Sequence, residues 1–247
     1  MHQKIGLKVA TSYSPNFNLS KRLKNKIKFI IIHYTGMKKE TDAIQRLQDP
    51  KSKVSSHYLI KANGDVLSLV PDLYEAWHAG VSNWKYFKSL NKYSIGIEII
   101  NPGHQYGYRN FSSKQIFSLK KLLNFLMKKY KINKYCILGH SDISPGRKKD
   151  PGEKFPWETL AKNKLAFWHN LNKKKIKNLR NKNLLTNVEQ NIFLKNLHKI
   201  GYIDIKGFEF KKNLKYLTIA FQRRFRQTLV NGMIDKECLL ISKNLLK

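Results

Sequence analysis

His33 closes the apolar run Phe29-Ile30-Ile31-Ile32, and His140 closes a second run, Tyr135-Cys136-Ile137-Leu138-Gly139. Asp150 follows ten residues after His140, in a loop stiffened by Pro145, Gly146, Pro151 and Gly152. Two imidazoles and one carboxylate, with a fourth position left to water, have the donor composition of a catalytic zinc site. Strand ends and a rigid loop would hold such donors open on one side. Spacing alone leaves the assignment open, because isolated histidines are more often core or surface residues, and Asp142 competes with Asp150 as the carboxylate.

Glu98 lies inside Ser94-Ile95-Gly96-Ile97-Glu98-Ile99-Ile100. A carboxylate among β-branched apolar neighbours is costly to bury unless it is paired. It is either an outward-facing residue of a half-exposed strand or a general base whose proton affinity burial has raised. Lys148 precedes Asp150 by two residues. From that loop its ammonium could sit over the metal site and stabilise an oxyanion; the alternative is a solvated lysine like most others in this chain.

These groups need elements to carry them. Residues 28–33 read as a buried strand. Residues 57–61 and 65–70 are short β-prone runs separated by Ala62-Asn63-Gly64, a hairpin signal. Residues 94–100 form another strand, closed by Asn101-Pro102-Gly103, and residues 135–139 a further one. From Ser112 the period changes: Ser112 and Gln115 make a capping box, and Ile116, Leu119, Leu122, Leu123, Leu126 and Met127 follow at helical spacing. Pro156-Trp157 opens another helix, to about His169. This order predicts an α/β fold, a central mixed sheet flanked by helices. Residues 172–185 are polar and basic and read as a linker. Beyond it, Ile192, Phe193 and Leu197, then Leu214, Leu217, Ala220, Phe221 and Phe225, then Leu239, Leu240 and Leu245 recur helically. They predict a small all-α three-helix C-terminal domain. The expected division is 1–171, 172–185 and 186–247.

A chain of 247 residues with 41% hydrophobic residues has material for such a core. No run approaches the ~20 apolar residues of a membrane span, and the N-terminus lacks the apolar segment of a secretory signal. That favours the cytoplasm, with the cell envelope as the alternative. Two distant cysteines, Cys136 and Cys238, make no disulfide framework and read as free thiols. The net charge of +32 attracts polyanions. Of the 48 basic residues only 22, 46, 109, 147, 180, 223, 224 and 226 are arginine, and lysine lacks the fork that reads base edges. No specific nucleic-acid binding is expected.

Five segments together resemble the N-acetylmuramoyl-L-alanine amidase family, in its AmiD/AmpD branch. They are Phe29-Ile30-Ile31-Ile32-His33-Tyr34-Thr35, Ser56-His57-Tyr58, Ala76-Trp77-His78-Ala79-Gly80, Asn91 followed by Ser94-Ile95-Gly96-Ile97-Glu98, and Gly139-His140 through Arg147-Lys148-Lys149-Asp150-Pro151-Gly152. They occur in the family's order over roughly residues 26–170. The resemblance implies the peptidoglycan recognition protein/amidase-like fold and one Zn2+ held by His33, His140 and Asp150. It implies Glu98 as catalytic base and Lys148 as oxyanion stabiliser. Trp77 and His78 are expected to line the substrate cleft, with His57 and Asn91 beside it. The partner implied is peptidoglycan or its muropeptides, cut between the lactyl group and L-alanine. Whether the sugar is ordinary or anhydro-N-acetylmuramic acid is left open, as is polymer against recycled fragment. A module that only binds peptidoglycan and a zinc peptidase of the stem are the rival readings.

Leu194 to Gly201-Tyr202, Ala220-Phe221-Gln222-Arg223-Arg224-Phe225-Arg226 and Asn231-Gly232-Met233-Ile234-Asp235 are similar to the three-helix peptidoglycan-binding domain. Asn231-Gly232 stands where that family often has Asp-Gly.

Overall fold

The computed structural model describes residues 6–180 and 185–247. The elements run β1 (Val9–Thr11), β2 (Phe17–Asn18), β3 (Phe29–Tyr34), α1 (Glu40–Gln48), β4 (Tyr58–Ile60), β5 (Val66–Ser68), β6 (Glu75–Ala76), β7 (Asn83–Trp84), β8 (Phe87–Lys88) and β9 (Ser94–Ile99). They continue α2 (Ser113–Tyr130), β10 (Ile137–Gly139), α3 (His140–Ile143), α4 (Trp157–Lys162), α5 (Lys173–Lys177), α6 (Asn187–Ile200), α7 (Phe210–Phe225) and α8 (Lys236–Asn244). Six strands form one mixed sheet in the order β1-β5-β4-β9-β3-β10. β4 and β5 are antiparallel; the other neighbours are parallel. This is the α/β class with three C-terminal helices that the sequence predicts.

Parallel strands are buried on both faces and read as unbroken apolar runs, and β3 does so from Phe29 to Ile32. Alternation sends its residues into two different cores. Ile30 and Ile32 join Ile95, Ile97, Ile99 and Ile137 beneath Leu119, Leu122, Leu123 and Leu126 of α2. Each of those leucines is wholly buried, which stabilises by roughly 1.5–3 kcal/mol apiece. The Ser112/Gln115 capping box starts α2 as expected.

Phe29 and Ile31 point the other way, with Leu138, into a core shared with Phe193, Leu197, Leu217 and Phe221 of α6 and α7. On that same face Leu59 and Ile100 are covered by Ala43 and Leu47 of α1. α1 and the C-terminal helices thus cover two parts of one sheet face. The strip between them, at the carboxyl ends of β9, β3 and β10, forms a cleft. Open α/β sheets place their ligand sites at such strand ends.

Two elements differ from expectation. α4 stops at Lys162 instead of running to His169: Lys164 adopts φ 61° and the Leu165 N–H turns back to the Leu160 carbonyl. Residues 134–136 form a 3-10 turn, because the Asn133 side chain accepts the Tyr135 N–H, so the strand is only Ile137–Gly139. Of the expected linker, residues 181–184 lie outside the described residues. The remainder includes α5, and Ile176 and Leu185 are buried in the core shared with the sheet. Both cysteines are free. No helix among the described residues is long and apolar enough to cross a membrane.

Candidate metal centre

The strand register builds the site. β3 and β9 pair His33 with Glu98, and β10 and β3 pair Gly139 with Ile32, which brings His140 beside His33. The loop carrying Asp150 is tied back to the same point, as the Ser141 N–H donates to the Asp150 carbonyl at 2.8 Å. Gly139 allows this approach, since a Cβ there would stand 2.7 Å from Cδ of Pro151.

Three atoms converge. His33 Nδ1 is 2.9 Å from His140 Nδ1, and each lies 3.0 Å from Asp150 Oδ2. All three residues are buried. The second nitrogen of each imidazole is engaged elsewhere: His140 Nε2 contacts the Ala79 carbonyl at 3.0 Å, and His33 Nε2 contacts His78 Nδ1 at 3.0 Å. A carbonyl only accepts, so Nε2 of His140 carries the proton. His78 Nε2 in turn reaches Ser94 Oγ at 3.1 Å, whose hydroxyl donates to the Leu90 carbonyl at 2.6 Å. That order assigns an Nε2 proton to His78 and to His33 as well. Both Nδ1 lone pairs then face each other and a carboxylate oxygen. Three acceptors at such separation repel unless a cation lies between them, and zinc with ligand distances of about 2.0–2.2 Å suits this set. Burial and neighbouring His140 push the His33 imidazole down to about 4. Asp150 is held well below the usual carboxylate range: burial opposes this, but the two imidazoles outweigh it.

Glu98 is half-buried, and its Oε2 is an enclosed oxygen without a hydrogen-bond partner among the described residues. Burial first, and the Asp150 charge second, raise its carboxyl to about 8, against a lowering by Lys148. Glu98 and Lys148 line the same cleft as His33, His140 and Asp150, a cavity of about 810 Å³. Trp77 and His78 line it too, Trp77 with its indole N–H on Asn18 Oδ1 at 3.0 Å.

His57 and Asn91 lie behind the cleft rather than in its lining. His57 is wholly buried; its Nδ1 accepts the Gly96 N–H at 2.9 Å and its Nε2 meets the Tyr74 carbonyl. Asn91 Oδ1 accepts the N–H groups of His78 and Ala79 at 3.2 and 2.7 Å. Asn91 therefore braces the segment that supports the two imidazoles, while His57 ties β9 at Gly96 to the Tyr74 carbonyl. Asp142 is not free to compete with Asp150, because its carboxylate is taken by Gly139 N–H, Tyr202 and Arg224.

Sequence reasoning passed over Arg147 and Arg22. Arg147 donates to the Ala79 and Val81 carbonyls and to Ser144 Oγ, bracing the loop whose Ala79 carbonyl meets His140. Arg22 donates to the carbonyls of Asn91, Ser94 and Asp72. Their signal was present as arginine in a lysine-dominated chain, since one guanidinium can serve several fixed acceptors.

Residues 23–153 match the family described as N-acetylmuramoyl-L-alanine amidase. The chain is 35% identical to N-acetylmuramoyl-L-alanine amidase AmiD of Escherichia coli over 90% of its own length and 83% of the relative's. It is 40% identical to 1,6-anhydro-N-acetylmuramyl-L-alanine amidase AmpD of Haemophilus influenzae over 53% of its length and 79% of the relative's. Among solved structures it resembles E. coli AmiD in complex with anhydro-N-acetylmuramic acid-L-Ala-D-gamma-Glu-L-Lys, with a TM-score of 0.78, 33% identity, and coverage of 93% of this chain and 91% of that one.

Proposed function

The chain belongs to the N-acetylmuramoyl-L-alanine amidase family, and from that premise we infer that it hydrolyses the amide joining the lactyl group of N-acetylmuramic acid to L-alanine in peptidoglycan or muropeptides. The observation that carries this reading is the convergence of His33 Nδ1, His140 Nδ1 and Asp150 Oδ2 in a cleft that also holds Glu98.

His33, His140 and Asp150 would hold one zinc ion. When bound, zinc supplies a Lewis acid that polarises the scissile carbonyl and lowers the pKa of water at the site. Glu98 accepts the proton of the attacking water and passes it to the leaving amine of L-alanine. Its raised proton affinity suits both tasks; the charge of a bound dication opposes that rise and keeps the carboxylate available. Lys148 presents an ammonium to the oxygen of the tetrahedral intermediate. The Trp77 ring offers an apolar face to the sugar or stem. E. coli AmiD is seen with anhydro-N-acetylmuramic acid-L-Ala-D-gamma-Glu-L-Lys, which supports anhydro-muropeptide as the substrate class proposed for this cleft.

Incubation with anhydro-muropeptide and with intact sacculi, with and without a chelator, followed by mass analysis, tests the reading. A released intact stem peptide and a peptide-free sugar, lost on chelation, are expected. Cleavage within the stem, or no cleavage by zinc-loaded protein, would overturn it.

A further inference from the structure

The C-terminal helices reach the metal centre through a buried ion pair. Asp142 is 1% exposed and Arg224 of α7 is 3% exposed. Asp142 Oδ2 accepts Nη1 of Arg224 at 2.6 Å and the Gly139 backbone N–H at 2.8 Å. Its Oδ1 accepts the hydroxyl of the wholly buried Tyr202 at 2.8 Å. The other arm of Arg224 donates to the Ile137 carbonyl at 2.9 Å, and the guanidinium lies 4.2 Å from the centre of the Trp157 ring. Arg224 therefore grips the chain on both sides of Gly139, immediately before His140.

An ion pair this deep is not an efficient way to glue helices to a sheet. Taking both charges out of water costs about as much as their attraction returns, and an apolar contact would serve adhesion as well. What the pair supplies is a fixed direction. Its bonds end on Gly139 N–H and the Ile137 carbonyl, the backbone whose course sets His140. They also occupy a carboxylate that would otherwise stand two residues from a donor.

We propose that Arg224 and Tyr202 are positioning residues for the metal centre. Acting through Asp142, they fix the backbone that presents His140, so the C-terminal helices form part of the centre as well as any wall-binding surface. This rests on the reading of His33, His140 and Asp150 as metal donors.

The test uses the full chain and the variants Arg224→Met, Arg224→Lys and Tyr202→Phe. Zinc affinity is measured by competition with a chromophoric chelator, the donor geometry by the visible bands of cobalt(II)-loaded protein, and folding by thermal unfolding without metal. Arg224→Met is expected to weaken zinc binding about tenfold, the lower end for residues outside the donor set, and to shift the cobalt bands. Tyr202→Phe moves both in the same direction by less, and Arg224→Lys restores part of the loss by keeping the charge. Folded Arg224→Met and Tyr202→Phe proteins with wild-type zinc affinity and cobalt bands would overturn the proposal. If Arg224→Met does not fold, Tyr202→Phe, which removes a single hydroxyl, decides on its own by the same two readouts. Failure of the wild-type chain to bind zinc would overturn the metal reading itself, and this proposal with it.

Discussion

His78 Nδ1 lies 3.0 Å from Nε2 of His33, and the space its ring occupies exists because residue 96 is glycine. A Cβ on Gly96 would stand 2.4 Å from Cγ of His78. The glycine of β9 thus serves a donor carried by the neighbouring strand β3. Gly96→Ala is expected to displace His78, free the His33 ring and weaken zinc binding about 10–100-fold, the range for partners that orient a metal-bound imidazole. Chelator competition measures this; unchanged affinity in Gly96→Ala would show that His78 does not orient His33.

Glu98→Gln keeps the shape of the side chain and removes the base. Turnover of anhydro-muropeptide should fall by on the order of 10²–10⁴-fold, while zinc content stays at the wild-type level. Turnover close to wild type would move the base elsewhere.

The raised carboxyl of Glu98 also makes a stability prediction for the metal-free protein. Its folded value of about 8 lies above the ordinary 4.5. Between those values the folded chain retains a proton that the unfolded chain has released, so stability falls as pH rises. Burial of neutral His33, with its folded value pushed down to about 4, acts in the opposite sense over its own range. The comparison with Glu98→Gln isolates the carboxyl. The variant's Tm, relative to wild type, should climb from about pH 4.5 to about pH 8 and then level off. A constant difference across that range would contradict the burial of this group.

Trp77 touches the cleft but none of the three donor atoms. Trp77→Ala should raise KM for muropeptide several-fold through lost apolar contact, with zinc content unchanged. A fall in kcat at unchanged KM would place the indole in the chemistry.

Much of this arrangement was legible in the residues. The Phe29–Ile32 run, the Asn63-Gly64 turn, the Ser112/Gln115 box and the glycine-bounded loop around Asp150 each follow from local chemistry. Local signals ran out where long-range contacts decide. Leu165 and Ala166 looked like helix, yet they serve the core as irregular chain after α4 has ended. Residues 172–185 looked like a solvated spacer by charge, but Ile176 and Leu185 pin the described part of that stretch to the core. His57 and Asn91 were expected beside the cleft because they sit in its motifs; a motif records which residues occur together and not which way they face. The pairing of Asp142 with Arg224, 82 positions apart, had no local signature beyond an arginine in a chain rich in lysine.

One measurement bears most directly on the convergence of the three donors. Diffraction data collected on either side of the zinc absorption edge, from crystals of zinc-loaded protein, should give a single anomalous peak bounded by His33 Nδ1, His140 Nδ1 and Asp150. A peak at another group of residues, or no peak from protein shown to be loaded and active, would contradict the proposed centre.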